Sequence, residues 1–159
     1  MITNPSVLFL DEPTSGLDTF TAFSVIETLK GLAKSGKTII STIHQPSSEI
    51  FEMFDDLLLL ADGRVIYQGP TSQMIEYFAR QGYPCPLYTN PADFMFMDIL
   101  NNQIEVKGTS MTNKERITGL LDKWDTSLEN SAVVKEMESA RSGGIVNIFV
   151  RLMLDSKCS

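Results

Sequence analysis

The hydrophobic pattern near the start of the chain changes its period twice and predicts a strand, a helix and a second strand. Residues 7–10 form a continuous apolar run, which is typical of a short strand buried on both faces of a parallel sheet. Between residues 18 and 36 the apolar positions recur every three to four residues, as in an amphipathic helix. Residues 38–43 are rich in β-branched side chains and favour a strand. Together these segments predict one βαβ unit with parallel strands.

The pattern beyond residue 46 predicts shorter elements and an uncertain tail. The predicted elements are a short helix capped by Ser47 or Ser48, hairpin strands at 57–60 and 65–67, and helices at 71–82, 91–100 and 114–124. The polar residues 101–113 indicate a loop. Residues 145–154 fit a strand, a helix or an unpaired apolar tail, and the pattern does not choose between them.

Three polar side chains follow the two predicted parallel strands. Asp11 and Glu12 come directly after the first strand, and His44 ends the second. Ligands of open parallel sheets bind outside the carboxyl ends of the strands, so the topology gathers these groups at one edge. Adjacent side chains on a strand point in different directions, which suits one carboxylate holding Mg²⁺ and the other orienting a water. Taken by itself, an Asp-Glu pair at a strand end is more often a solvated turn, and a lone histidine there is more often structural.

Composition and charge narrow the class of protein. The 159 residues include 13 basic and 20 acidic side chains, and the net charge of −7 has the wrong sign for a nucleic-acid-binding surface. Cys85 and Cys158 have neither metal-ligand nor redox spacing, which fits a reducing cytosolic setting. The amino end has no signal-peptide pattern, and no stretch approaches the roughly 20 apolar residues that span a bilayer. If the protein works at a membrane, we expect other segments to anchor it.

Three short runs resemble motifs of the ATPase domains of ABC proteins. Residues 8–13 (LFLDEP) are similar to the Walker B strand with its catalytic glutamate, and residues 15–18 (SGLD) are similar to the D-loop that follows it. Residues 43–48 (IHQPSS) resemble the H-loop, whose histidine contacts the γ-phosphate. The long continuous match that follows the Asp-Glu pair favours a functional role for it over a solvated turn. The placement of His44 beside the Walker B-like strand favours a functional role for the histidine in the same way.

Further segments resemble the G (White-type) subfamily, namely 51–70, 82–86 and 90–94, so that the resemblance covers roughly residues 2–100. Members are half-transporters that carry the ATPase domain ahead of the membrane helices and move lipids, sterols, pigment precursors or xenobiotics. In the family order the Walker A, Q-loop and signature motifs precede the Walker B strand. The resemblance therefore implies a fragment that begins just after the signature motif and is inactive alone.

The resemblance also implies a fold and a domain organisation. The expected fold class is α/β, a partial P-loop NTPase (RecA-like) core with parallel strands, an edge hairpin and a mainly helical C-terminal part. Residues 1–100 would form the C-terminal part of the ATPase domain. Residues 101–159 would form a helical or irregular tail without a transmembrane segment.

The residue roles implied by the resemblance complete the functional hypothesis. Asp11 would hold Mg²⁺, Glu12 would polarise the attacking water and His44 would contact the γ-phosphate of ATP. Asp11, Asp18 and Gln45 would bind the nucleotide, and Asp18 would also communicate across a dimer. The expected partners are a second ABC ATPase domain and the transmembrane domain of the parent transporter at the cytoplasmic face of a membrane, with no nucleic acid. Hydrolysis would drive export of a lipid-like or other hydrophobic substrate.

Two alternatives stay open at this point. The chain could be a non-catalytic docking fragment or the product of a partial gene model. It could also belong to a soluble ABC ATPase of translation or DNA repair, which the segment at 90–94 disfavours.

Residues 31–38 (GLAKSGKT) match the Walker A pattern letter for letter, but their predicted context is inverted. A working phosphate-binding loop follows a strand and opens a helix, so that the helix N-terminus faces the phosphates. This segment closes a predicted helix and opens a predicted strand, and so presents the negative end of the helix dipole. We expect Gly36 to end the helix and the segment not to bind phosphate.

Overall fold

The computed structural model describes residues 4–100, 113–141 and 151–155 of the chain. The strands are β1 (Val7–Leu10), β2 (Thr38–Thr42), β3 (Asp56–Ala61), β4 (Arg64–Pro70) and β5 (Arg151–Asp155). The helices are α1 (Thr19–Lys34), α2 (Ser48–Glu52), α3 (Thr71–Arg80), α4 (Pro91–Phe94), α5 (Asn113–Asp125) and α6 (Leu128–Arg141), and α4 continues as a π-helical turn over Met95–Leu100. Among the described helices, none is long and apolar enough to cross a membrane.

The strands form one sheet in the order β1-β2-β5-β3-β4. Strand β1 pairs with β2 in parallel, with Leu10 opposite Ser41. Strand β5 pairs in parallel with both β2 and β3, and β3 and β4 form an antiparallel hairpin. The predicted βαβ unit is therefore present as β1-α1-β2. A RecA-like P-loop NTPase core stays a prediction, because two parallel strands and a crossover helix occur in many α/β folds.

Strand β1 corrects one expectation, since it is not buried on both faces. Val7 is 45% exposed and Phe9 is 76% exposed, whereas Leu8 and Leu10 pack partly against the core. The physical reason is position: β1 lies at the edge of the described sheet, and no described element covers the face that carries Val7 and Phe9.

Helix α1 begins and ends where the sequence predicts. Both carboxylate oxygens of Asp18 accept hydrogen bonds from Thr21, one from its amide (3.0 Å) and one from its hydroxyl (2.6 Å), which satisfies a free donor of the first turn. The helix ends at Lys34, and Gly36 takes a left-handed conformation (φ +93°) before β2 starts. The prediction that residues 31–38 close a helix and open a strand is confirmed.

A cluster of aromatic rings packs against the hairpin. The turn between β3 and β4 places Asp62 (φ +50°) and Gly63 (φ +75°) in the left-handed region, as the Asp-Gly signal predicts. Trp124 of α5 packs with its ring centroid 5.7 Å from those of both Tyr67 and Tyr77. The predicted helix at 114–124 is thus present within α5, and its apolar face joins the main core.

Helix α4 and the π-helical turn occupy the region of the predicted helix at 91–100. Asn90 caps α4 by accepting a hydrogen bond from the amide of Ala92 (2.9 Å). The buried guanidinium of Arg116 donates to the carbonyls of Asp98 (2.7 Å) and Ile99 (2.8 Å), which joins α5 to the end of the π-helical turn. Burial lowers the pKa of Arg116.

Two other sequence predictions are tested only in part. The predicted loop at 101–113 lies almost entirely outside the described residues, and the helix α5 already begins at its last residue. In the tail, residues 151–155 are a strand, and the rest of the range 145–154 lies outside the described residues. The domain division at residue 100 stays a prediction.

Candidate functional site

The hydroxyl of Thr42 joins the two candidate carboxylate residues at the carboxyl end of β1. Its Oγ1 donates to Oδ1 of Asp11 (2.5 Å) and accepts from the backbone amide of Glu12 (2.8 Å). The parallel register explains the contact, since Leu10 lies opposite Ser41 and the next residues of the two strands are Asp11 and Thr42. The side chain of Thr42 on β2 therefore holds both residues at the carboxyl end of β1.

Glu12 lies in a turn directly after the strand. Strand β1 ends at Leu10, and Glu12 has φ +44°, a left-handed conformation that is uncommon for a residue with a side chain. Its carbonyl accepts from the amide of Ser15 (3.0 Å), which closes the turn. The carboxylate of Glu12 is exposed and makes no hydrogen bond or ion pair with any described residue. The turn, and not strand alternation, sets the direction of this side chain.

His44 follows β2 and borders a groove with a volume of 470 Å³. The lining includes Gln45 and Ser47 from the same loop, Thr14 and Leu17 from the segment before α1, and Asn90 and Asp93 at α4. The His44 ring is exposed and lies 6.1 Å from the ring of Phe96, tilted by 41°. The groove brings together the segments that resemble the D-loop and the H-loop.

Backbone geometry holds the loop after His44 in place. Gln45 has φ +44°, so the chain turns sharply there. The side chain of Asn90 donates to the carbonyl of Pro46 (3.4 Å), and the hydroxyl of Ser47 accepts from the amide of Ile50 (3.4 Å) at the start of α2. This loop is therefore tied both to α2 and to α4.

The structure divides the predicted site residues between three places. Asp11 and Glu12 lie with Thr42 at the sheet edge, and His44 and Gln45 border the groove. Asp18 belongs to neither, because both of its oxygens cap α1 and the hydrogen bonds from Thr21 lower its pKa. Its predicted role across a dimer stays a prediction.

Lys37, the lysine of the Walker A-like run, is engaged elsewhere. Its ammonium donates to Oδ1 of Asn4 (2.5 Å) and to the carbonyl of Pro5 (2.8 Å). Both partners precede β1, so Lys37 lies at the amino ends of the parallel strands. The candidate carboxylates lie at the opposite ends.

The donor set at the sheet edge fits a magnesium ion shared with phosphate. Within the described part of the chain, no three His, Cys, Asp or Glu side chains cluster to hold a metal by themselves. Mg²⁺ is usually bound by one or two carboxylates together with water and substrate phosphates, and not by an all-protein cage. Asp11 meets this requirement, because Thr42 occupies Oδ1 while Oδ2 accepts no hydrogen bond from the described residues.

Thr42 is the residue that the motif analysis missed. It precedes the H-loop-like run by one position and belongs to no motif. The available signal was the pairing of residues 7–10 with 38–41, which places residue 42 beside residue 11. That register becomes visible only once the two strands are aligned.

Comparison with known protein families adds the wider context. A family model described as ABC-2 type transporter matches residues 44–141, which is more than half of the chain. The chain belongs to the ABC-2 type transporter family. Its membership points to a membrane location for the whole protein.

Several curated relatives match this ABC-2 type chain. It is 57% identical over 110 residues to ABC transporter G family member 1 of Dictyostelium discoideum, a match that covers 69% of the chain and 14% of that relative. It is 50% identical over 115 residues to the broad substrate specificity ATP-binding cassette transporter ABCG2 of Mus musculus, covering 72% of the chain and 17% of the relative. It is 45% identical over 137 residues to Protein white of Drosophila melanogaster, covering 86% and 19% respectively.

The family match corrects the identification made from the short motifs. That resemblance assigned the chain to the ATPase domain of a White-type half-transporter, as a fragment beginning just after the signature motif. The model that matches residues 44–141 represents the membrane part of ABC-2 type transporters, so this region is not identified as an ATPase domain. The error has a physical origin: runs of four to six residues specify a local turn or strand end, and residues 8–18 lie outside the matched region.

Proposed function

We propose that the sheet edge at Asp11, Glu12 and Thr42, together with the groove beside His44, serves ATP hydrolysis that drives export by an ABC-2 type transporter. The observation that carries the proposal is the Thr42 hydroxyl, which fixes a carboxylate and the amide of its neighbour at the carboxyl ends of two parallel strands. Open parallel sheets bind their ligands at such ends. Two exposed acidic groups there suit the division between holding a metal and positioning a water.

Each side chain has a role that its surroundings allow. Asp11 has a carboxylate oxygen, Oδ2, for Mg²⁺, while Glu12 has an exposed carboxylate that can orient a water. His44, exposed at the end of β2, can donate a hydrogen bond to charge that develops on the phosphate oxygens. Bound Mg²⁺ would neutralise phosphate charge. Gln45, in the same groove, would contact the nucleotide, and Asp18, at the start of α1, would communicate across a dimer.

The wider functional context is also part of the proposal. The chain spans 14% to 19% of the length of the three relatives above, so further segments of a longer protein would supply the rest of the site. We infer a partial P-loop NTPase core from the parallel β1-α1-β2 unit. We further infer pairing with a second ATPase domain and with a transmembrane domain, on the cytoplasmic face, and export of a lipid-like or other hydrophobic substrate.

The proposal is tested by replacing Asp11 with Asn in the full-length transporter. Asp11→Asn keeps the shape of the side chain but removes the charge that attracts Mg²⁺. We expect ATP affinity measured with Mg²⁺ to fall to the value without Mg²⁺, and ATP-driven transport into membrane vesicles to be lost. The matched control is Asp62→Asn, an exposed hairpin-turn residue. Unchanged Mg²⁺-dependent affinity in Asp11→Asn, with transport at the control rate, contradicts the proposal.

A further inference from the structure

We propose that Thr42 is a positioning residue of this site and that its hydroxyl sets the geometry of Asp11 and Glu12 together. The expected effect of Thr42 on ATP turnover rests on the proposed function. The expected effect of Thr42 on the backbone of Glu12 rests on the structure alone. Thr42 would touch neither nucleotide nor metal, so it would act only through the two acidic residues.

The hydroxyl group of Thr42 makes two hydrogen bonds, one as donor and one as acceptor. A threonine hydroxyl has one proton to donate and lone pairs with which to accept. The proton of Thr42 goes to Oδ1 of Asp11 (2.5 Å), and the oxygen accepts the amide hydrogen of Glu12 (2.8 Å). Because one oxygen makes both bonds, the carboxylate of Asp11 and the backbone of Glu12 cannot shift independently of each other.

The backbone of Glu12 needs this support. A left-handed conformation at a residue with a side chain is energetically unfavourable and persists when the surroundings stabilise it. Glu12 has φ +44°, and its amide is held by Thr42 while its carbonyl is held by the amide of Ser15. If the bond from Thr42 is lost, we expect the turn to relax and the carboxylate of Glu12 to lose its fixed direction.

The position of Thr42 also links the two parts of the site. Thr42 is the last residue of β2 and is half-buried, and His44 follows two residues later. The side chain that holds Asp11 and Glu12 therefore belongs to the strand that presents His44. The pairing of β1 with β2 therefore brings the turn that carries Glu12 and the loop that carries His44 to the same end of the two strands.

The Asp11 carboxylate is oriented by the same bond. With Oδ1 held by Thr42, Oδ2 is the oxygen that can ligate Mg²⁺. Loss of the hydroxyl would allow the carboxylate to rotate, so either oxygen could meet the metal and neither would be held. We expect weaker Mg²⁺-dependent binding as well as slower turnover.

The test uses Thr42→Val and Thr42→Ser in the full-length transporter. Valine has the shape of threonine without the hydroxyl, whereas serine keeps the hydroxyl and lacks the methyl group. Thr38→Val is the matched control, since Thr38 is a half-buried threonine at the other end of the same strand. Amide hydrogen exchange at Glu12, resolved to single residues by mass spectrometry, is measured beside Mg²⁺-dependent ATP affinity and single-turnover hydrolysis.

We expect Thr42→Val to raise the exchange rate of the Glu12 amide by roughly two- to tenfold, as for the loss of one hydrogen bond. Hydrolysis should slow on the order of ten- to a hundredfold, because small displacements of positioned groups are costly. Thr42→Ser should restore both quantities, and Thr38→Val should alter neither. A purely structural role would not produce a serine rescue of Glu12 exchange and turnover together.

Two results would overturn the role of Thr42. One is unchanged exchange at Glu12 in Thr42→Val, and the other is full turnover in Thr42→Val when Glu12→Gln is impaired. Failure of the proposed function gives a different pattern: Glu12 exchange rises in Thr42→Val, while Asp11→Asn and Glu12→Gln hydrolyse ATP at the unmodified rate. That pattern would refute both an ATP site at this edge and a role of Thr42 in it.

Discussion

The β1-β2 end and the β3-β4 end of the sheet differ in how far their large side chains are buried. We call residues 7–47 the carboxylate region and residues 56–80 with 113–125 the aromatic region. In the carboxylate region, Phe9 and Phe20 are 76% and 79% exposed, and the acidic groups lie at the surface. In the aromatic region, Tyr67, Tyr77 and Trp124 are at most 2% exposed and pack against one another. The packed aromatic rings and the candidate chemistry thus lie in separate parts of the chain.

A half-buried contact ties the carboxylate region to the segment just before β3. The ammonium of Lys30 on α1 donates to the carbonyl of Met53 (2.7 Å) and to Oδ1 of Asp55 (2.6 Å), just before β3. The lysine is 23% exposed, so this ion pair is better shielded from solvent than a typical surface pair. The comparison shows that the candidate polar groups of the carboxylate region can stay exposed while the aromatic region beside it is well packed.

The largest expected effect is on the stability of the aromatic region. Trp124→Ala removes a 2% exposed ring that contacts two tyrosines, and such truncations cost about 3–5 kcal/mol of unfolding free energy. Tyr88→Ala, at a fully exposed position, is the control and should cost far less. Urea denaturation of both variants measures the difference. Equal losses in the two variants would remove the contrast between the regions.

The next effect is on turnover and concerns the carboxylate region. His44→Ala should slow single-turnover ATP hydrolysis by roughly 10²- to 10³-fold, the cost of losing one donor to developing charge. ATP affinity and the urea midpoint should change little, because His44 is exposed. His44→Gln keeps an N–H donor and should recover part of the rate. A variant that loses ATP affinity as strongly as rate would show that His44 supports binding and not the chemical step.

Alkaline pH should lower the stability of the protein through the aromatic region. Burial raises the pKa of Tyr77 to about 12, above its value of about 10 in an unfolded chain. The unfolded chain then loses a proton that the folded chain keeps, so the stabilisation is complete below pH 10 and falls as pH rises towards 12. Urea midpoints between pH 8 and about 11.5 measure the decline. Tyr77→Phe should reduce it, and an unchanged slope would contradict the assignment to Tyr77.

The smallest expected effect separates the proposed ATP site from the Walker A-like run. Lys37→Ala in the full-length transporter should leave ATP affinity nearly unchanged, because this ammonium is bound to Asn4 and Pro5 at the opposite end of the strands. Equilibrium nucleotide binding provides the measurement. A large loss of affinity would mean that residues 31–38 bind phosphate after all.

Local patterns predicted the elements well because the forces that form them are local. The helix cap at Asp18, the stop at Gly36 and the turn at Asp62 and Gly63 depend on neighbours within a few residues, and all three are present. The exposure of Phe9 was not predicted, because an apolar run does not reveal whether its strand lies at an edge. The π-helical turn at Met95–Leu100 was not predicted either, because the hydrophobic pattern of the sequence does not distinguish it from an α-helix.

Long-range contacts and family membership needed more than motifs. The bond between Thr42 and Asp11 joins residues 31 positions apart, and strand β5 inserts between β2 and β3 from the far end of the chain. Short motifs indicated an ABC transporter, which the comparisons support, but they assigned residues up to about 100 to an ATPase domain. The match over residues 44–141 corrects that assignment, because its model represents the membrane part of ABC-2 type transporters.

Glu12→Gln tests the central claim most directly, since it keeps the shape of the side chain and removes its charge and basicity. In the full-length transporter we predict that ATP affinity, with and without Mg²⁺, stays within about twofold of the unmodified protein, since Glu12 does not hold the metal. Single-turnover hydrolysis on the same preparation should fall on the order of 10²- to 10⁴-fold, as expected for loss of a positioned base. Hydrolysis at the unmodified rate, or a loss of Mg²⁺-dependent affinity as severe as that of Asp11→Asn, would contradict the account.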